Sequence, residues 1–283
     1  MGIYDDKPKR FLERLFFEEK QDLSQKICCA GFELEAWRCE PFASHLIEWL
    51  PEYALIEEEL NVNHGNMYVK LRQAAIRVYS SYKYKQRGEA GEIAIHPICR
   101  EFFNTVPISP RVFYKTTSND VIKAFDMVHA RFISGQPIEL WLGESKLYAN
   151  SAGAITDAIR SVTAHLERGF LESQKLFLGP QIPKTTPFYN KFIELFEPQT
   201  SLDKFLSSAV FVVGILADSK AAQKSKTIDD AYIAALKEEL AFLHEKLRAA
   251  AFPTKIRIVL IYVPLATKAA LVAAFDAKLK GLQ

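Results

Sequence analysis

Three charged residues stand where a strand would otherwise be apolar. Asp126 follows Ala124-Phe125 and precedes Met127-Val128, and Glu144 and Lys146 interrupt Leu140-Trp141-Leu142-Gly143-Glu144-Ser145-Lys146-Leu147-Tyr148. In an alternating strand Ile138, Leu140, Leu142, Glu144 and Lys146 share one face. The carboxylate and the ammonium therefore enter the same space. Two close carboxylates repel, which raises one pKa unless a cation lies between them. A divalent ion with oxygen ligands resolves that conflict, since Mg²⁺ uses one or two carboxylates plus waters and phosphate. A lysine beside it orients an attacking water and stabilises charge on a phosphate. The chemistry indicated is metal-assisted phosphodiester hydrolysis. A salt-bridged strand end is the plain alternative. The same Glu-x-Lys spacing at Glu18-Glu19-Lys20 lies in a polar segment and reads as a solvated face.

These residues need a hairpin to meet. Val121–Ile133 and Ile138–Tyr148 are β-rich runs joined by the turn signal Ser134-Gly135-Gln136-Pro137. That register pairs Asp126 with Glu144 or with Ser145; one residue of loop decides which. Ser151–Phe170 reads as a helix capped by Ser151, with Ile155, Ile159, Val162 and Leu166 as its apolar stripe. Short helices are expected at Phe188–Phe196 and Leu202–Leu206, and a long one over Ile228–Phe252. Buried strands are expected at Ala209–Ala217 and Ile256–Val263, and a last helix at Thr267–Leu279. This order argues for an α/β fold with a mixed central sheet flanked by helices.

Upstream, Arg87–Phe103 has helical spacing, with Pro97 expected to kink or break it. Val112-Phe113-Tyr114 is a short β-run, Pro41–Leu60 reads as a helix, and Met67–Tyr82 fits strand or helix. Residues 1–85 hold no chemical motif and are set apart as an N-terminal α/β lobe or a partner-docking module; residues 86–283 form the domain that carries the charged triad.

The 283 residues are 49% apolar and 25% charged, which excludes a disordered or low-complexity chain. The 36 basic and 34 acidic residues leave a net charge of +2, so any basic footprint for nucleic acid is local. Four cysteines without a CxxC pair suit buried reduced thiols. No secretory signal or membrane-length apolar run is expected. There is no HExxH zinc motif and no GxxxxGK[ST] phosphate loop. Ser201-Leu202-Asp203-Lys204 fits SxxK by chance, His129 reads as structural, and His165 and Lys220–Lys226 read as solvated surface.

An Asp on one strand, Glu-x-Lys on the next and a following helix resemble the PD-(D/E)xK nuclease superfamily. The Pro that names that motif is replaced by Phe125, and the residue before the Asp is bulkier than usual. Gly88-Glu89-Ala90-Gly91-Glu92 is similar to the first-helix motif of resolvase-like members, in which Glu92 corresponds to a residue that assists metal binding. Phe125-Asp126-Met127-Val128-His129 with Leu142–Tyr148 resembles more closely the HamA family, nuclease subunits of Hachiman antiphage defence; the likeness covers about residues 87–167.

The resemblance implies a restriction-endonuclease-like core with an N-terminal extension. It implies a metal-dependent deoxyribonuclease that acts on DNA in the bacterial cytoplasm, held by a partner helicase, HamB. By the same resemblance Asp126, Glu144 and Glu92 bind Mg²⁺ or Mn²⁺, and Asp126, Glu144 and Lys146 are catalytic. The Ser145 carbonyl completes the metal shell. A non-catalytic subunit of a helicase complex and a stand-alone restriction or repair nuclease are the alternatives.

Overall fold

A computed structural model describes residues 4–79, 88–108 and 125–283. The expected run Val112–Tyr114, the start of the run at 121–124, Arg87 and residues 80–82 lie outside the described residues. The strands are β1 (Glu13–Glu18), β2 (Leu23–Cys29), β3 (Phe32–Glu33), β4 (Ala36–Trp37), β5 (Val106–Pro107), β6 (Met127–Arg131), β7 (Glu139–Tyr148), β8 (Ala209–Asp218) and β9 (Arg257–Leu265). The helices are α1 (Cys39–Glu48), α2 (Leu50–Ala54), α3 (Met67–Tyr79), α4 (Glu89–Phe103), α5 (Ser151–His165), α6 (Arg168–Leu178), α7 (Tyr189–Ile193), α8 (Leu202–Ser208), α9 (Lys220–Lys224), α10 (Asp230–Arg248) and α11 (Lys268–Lys280).

Among the described residues seven strands form one mixed sheet in the order β1-β2-β9-β8-β7-β6-β5. The four strands β2, β9, β8 and β7 run parallel to one another, and antiparallel pairs flank them on both sides. The centre is parallel because β7, β8 and β9 are each separated by helices, which supply the crossovers parallel pairing requires. Helices cover both faces, so β8 is apolar without alternation: all of Ala209–Ala217 is buried. On one face lie α1, α2, α4 and α11; on the other lie α5, α6, α8 and α10. The α10 stripe, Tyr232, Leu236, Leu240, Leu243 and Leu247, keeps helical spacing along the second face.

The N-terminal segment shares this sheet. Strand β2 pairs with β9 over Leu23–Ile27, and α1 packs on α11. The expected helix Pro41–Leu60 is two helices, α1 and α2, and Met67–Tyr79 resolves as a helix. Helix α4 runs through Pro97 to Phe103 without a break. The helix expected over Ser151–Phe170 ends at His165, and its cap is Asn150, whose Oδ1 accepts from Gly153 N–H at 2.6 Å. Part of the expected Lys220–Lys226 loop is the short helix α9. All four cysteines are free, and Cys28, Cys29 and Cys99 are buried. Among the described residues no helix is long and apolar enough to cross a membrane.

Close approach fixes α4 on the sheet. A Cβ on Gly143 would lie 2.9 Å from Ile95 Cδ1 and 2.8 Å from Met127 Cβ, and one on Gly214 would overlap Ile95 Cγ2. A Cβ on Gly91 would meet Leu147 Cβ at 2.9 Å. Glycine at 143 and 214 makes the groove into which Ile95 fits, and glycine at 91 lets the helix backbone descend onto β7. Gly214→Ala is expected to cost about 1–3 kcal/mol through overpacking. In urea unfolding the double variant with Ile95→Ala should be less destabilised than the sum of the two single changes. Strict additivity would show that the two positions do not meet.

Candidate active site

The hairpin register settles the pairing left open by the sequence. Met127 pairs with Gly143, which places Asp126 opposite Glu144. Asp126 grips β7 on both sides of that residue. Its N–H donates to the Gly143 carbonyl at 2.8 Å, and its Oδ2 accepts from the Ser145 N–H at 2.9 Å. Among the described residues the antiparallel ladder stops at Met127–Gly143. The Asp126 carboxylate therefore takes up a strand N–H beyond the point where a neighbouring strand supplies the acceptor.

Glu144 and Lys146 project from the same face of β7. Lys146 Nζ lies 2.6 Å from Glu144 Oε1, with side-chain exposures of 19% and 8%. The other Glu-x-Lys behaves differently. Lys20 and Glu18 also pair, at 2.9 Å, but their side chains are 55% and 37% exposed. Water screens that pair and leaves it little energetic consequence. The buried pair has lost solvation that only other charges or a ligand can restore.

The electrostatics record that cost. Burial, followed by the Asp126 charge, pushes the Glu144 carboxyl up to about 7 against the pull of Lys146. For Lys146 burial acts downward, but Glu144 and Asp126 outweigh it and hold the ammonium above its ordinary value. Lys146 is thus charged across the physiological range. Tyr148, at the end of β7, donates from its hydroxyl to Asp157 of α5 and ties the strand end to that helix.

Helix α5 supplies what the sequence reading missed. His165, expected on a solvated face, is buried, with Nδ1 3.8 Å from Glu144 Oε2. The Ser161 hydroxyl, one turn earlier, also favours the charged carboxylate. The missed signal was the alanines. Ala154 and Ala158 continue through Ser161 to His165 at helical spacing, beside the Ile155–Val162 line, and small residues weigh little in an apolar pattern.

Glu92 is placed elsewhere. Helix α4 packs on the face of β7 that carries Gly143, Ser145 and Leu147, whereas Glu144 and Lys146 point to the α5 face. The buried Glu92 accepts from Tyr53 Oη at 3.2 Å. Among the described residues no group of three or more His, Cys, Asp or Glu side chains is arranged to hold a metal ion. Asp126, Glu144 and Glu92 thus do not form a three-carboxylate cage; alternation along β7 separates the third from the first two.

His129, read as structural, is buried in a chain of polar side chains. Its Nδ1 lies 2.8 Å from Thr105 Oγ1 and its Nε2 lies 2.9 Å from His96 Nδ1; His96 Nε2 reaches Glu52 Oε1 at 3.2 Å. This buried chain joins β6 to α4 and α2. Burial holds the His129 pKa well below its usual value, so the ring is neutral.

The donor set suits a hard divalent ion. Two opposed carboxylates on adjoining segments, one of them raised in pKa first by burial and then by the other, match the one or two carboxylates Mg²⁺ employs. Compared with models of known protein families, the chain matches the family described as HamA over residues 8–279 of 283. No curated protein matches it.

The pKa of Glu144 is directly measurable. In the metal-free protein its carboxyl ¹³C resonance should titrate near 7, and Asp126→Asn should lower that midpoint while burial keeps it above 4.5. An unchanged midpoint would mean that the two carboxylates do not interact.

Proposed function

The chain belongs to the HamA family, and on that premise we propose that it is a metal-dependent DNA nuclease, the effector subunit of an antiphage defence complex. Family membership supports a role in Hachiman defence. The observation that carries the chemical reading is the buried Glu144–Lys146 pair opposite Asp126. A charged cluster within a central strand, enclosed by α5, is costly to maintain and suited to phosphodiester hydrolysis. The arrangement also fits the PD-(D/E)xK pattern: an Asp on one strand, Glu-x-Lys on the next and a helix after them.

In this proposal Asp126 and Glu144 would hold Mg²⁺ or Mn²⁺, together with the Ser145 carbonyl. When bound, the ion would activate water and neutralise phosphate charge. Asp126 has a second task, since its bond to the Ser145 N–H fixes the strand on which Glu144 and Lys146 stand. Lys146 stays charged and orients the attacking water or stabilises negative charge on the phosphate. Glu92, held against Tyr53 on α4, is left out of the proposed ligand set. The DNA substrate and a partner helicase, HamB, complete the proposal. The sequence has no phosphate loop for ATP, so unwinding falls to the partner.

Plasmid and linear DNA incubated with Mg²⁺ or Mn²⁺, with and without the helicase, test this reading. Glu144→Ala and Lys146→Ala should each lower cleavage by at least about 10²-fold, and chelation should abolish it. Cleavage that survives Glu144→Ala would sink the proposal.

A further inference from the structure

The bulky residue before Asp126 has a use that points to a third participant. Phe125 is buried, and its ring meets His165 edge-on at 4.6 Å between centroids. The same imidazole stacks on Phe170 at 4.5 Å and 18°. Phe125 also contacts Phe170 at 5.4 Å and Phe211 at 6.1 Å. The imidazole at the end of α5 is therefore held by the segment entering β6 and by helix α6, with strand β8 packed behind Phe125. The ring so fixed directs Nδ1 towards Glu144 Oε2, at 3.8 Å, while Lys146 takes Oε1 at 2.6 Å.

We propose that His165 is a positioning residue for Glu144, held by Phe125 and Phe170 so that its Nδ1 stays beside the Glu144 oxygen that Lys146 does not bind. This rests on the reading of Glu144 as a metal ligand. Outer partners that orient a ligating carboxylate typically contribute 10- to 100-fold in metal affinity. Packing alone would be served as well by phenylalanine. The imidazole adds one nitrogen on the side of the carboxylate. Phe125 thereby links the Asp126 segment to the residue that aims Glu144, and the two proposed ligands are set by one aromatic cluster.

The test is Mn²⁺ binding to the full chain, followed by titration calorimetry and by the electron paramagnetic resonance of free Mn²⁺, with thermal unfolding as a control. His165→Phe keeps an aromatic ring and removes the nitrogen. His165→Asn places an amide nitrogen near the Nδ1 position. The expected result is that His165→Phe binds Mn²⁺ about 10- to 100-fold more weakly, that His165→Asn recovers most of the loss, and that Glu144→Gln abolishes binding. Wild-type affinity in His165→Phe, with binding lost in Glu144→Gln, would overturn the positioning role and leave the nuclease reading intact. Equal weakening in folded Phe and Asn variants would also overturn it. No Mn²⁺ binding by the wild type would remove the metal reading and this inference with it.

Discussion

The site depends on a repulsion that the fold holds in place. Asp126 and Glu144 face each other across two adjoining chain segments, and neither can move away. Asp126 is bonded through its N–H to Gly143 and through its carboxylate to Ser145, so it straddles the residue it repels. Glu144 is fixed by the alternation of β7, whose parallel partner β8 is buried on both faces. Lys146 offsets part of the conflict and is itself kept charged by it. A buried charged cluster of this kind adds little to stability that well-packed apolar residues would not. Its presence in an otherwise apolar strand is best understood through what it can bind.

The rest of the sheet explains how the cluster is maintained. Helix α4 is seated on one face by Ile95 in the groove made by Gly143 and Gly214, and the Thr105–His129–His96–Glu52 chain links it to β6 and α2. Helix α5 closes the other face and brings His165 and Ser161 to the carboxylate. Strand β7 is thus clamped from both sides at Gly143–Leu147, the stretch that carries the chemistry. Rigid support of this sort keeps a small constellation in register.

Much of this was legible because the signals were strong and local. The runs Ala209–Ala217 and Ile256–Val263 are apolar without alternation, which suits central strands covered on both faces, and they form β8 and β9 almost as bounded. Asp126, Glu144 and Lys146 were visible as charges in β-prone surroundings. Other features depended on tertiary context. Strand β2, with Lys26 inside it, has no clean period and is a strand because β9 lies beside it. Pro97 stays in a helix because α4 is buried over most of its length. Glu92 sits at a plausible helix position, but only the packing of α4 reveals that it faces the other side of β7. His165 was hidden by the small residues that share its stripe.

The most direct measurement is a crystal structure of the chain soaked with Mn²⁺, with the ion located by its anomalous scattering. The account predicts a single strong peak bonded to carboxylate oxygens of both Asp126 and Glu144, with Glu92 still against Tyr53. A peak that avoids Glu144, or none at a Mn²⁺ concentration that supports DNA cleavage, would contradict it.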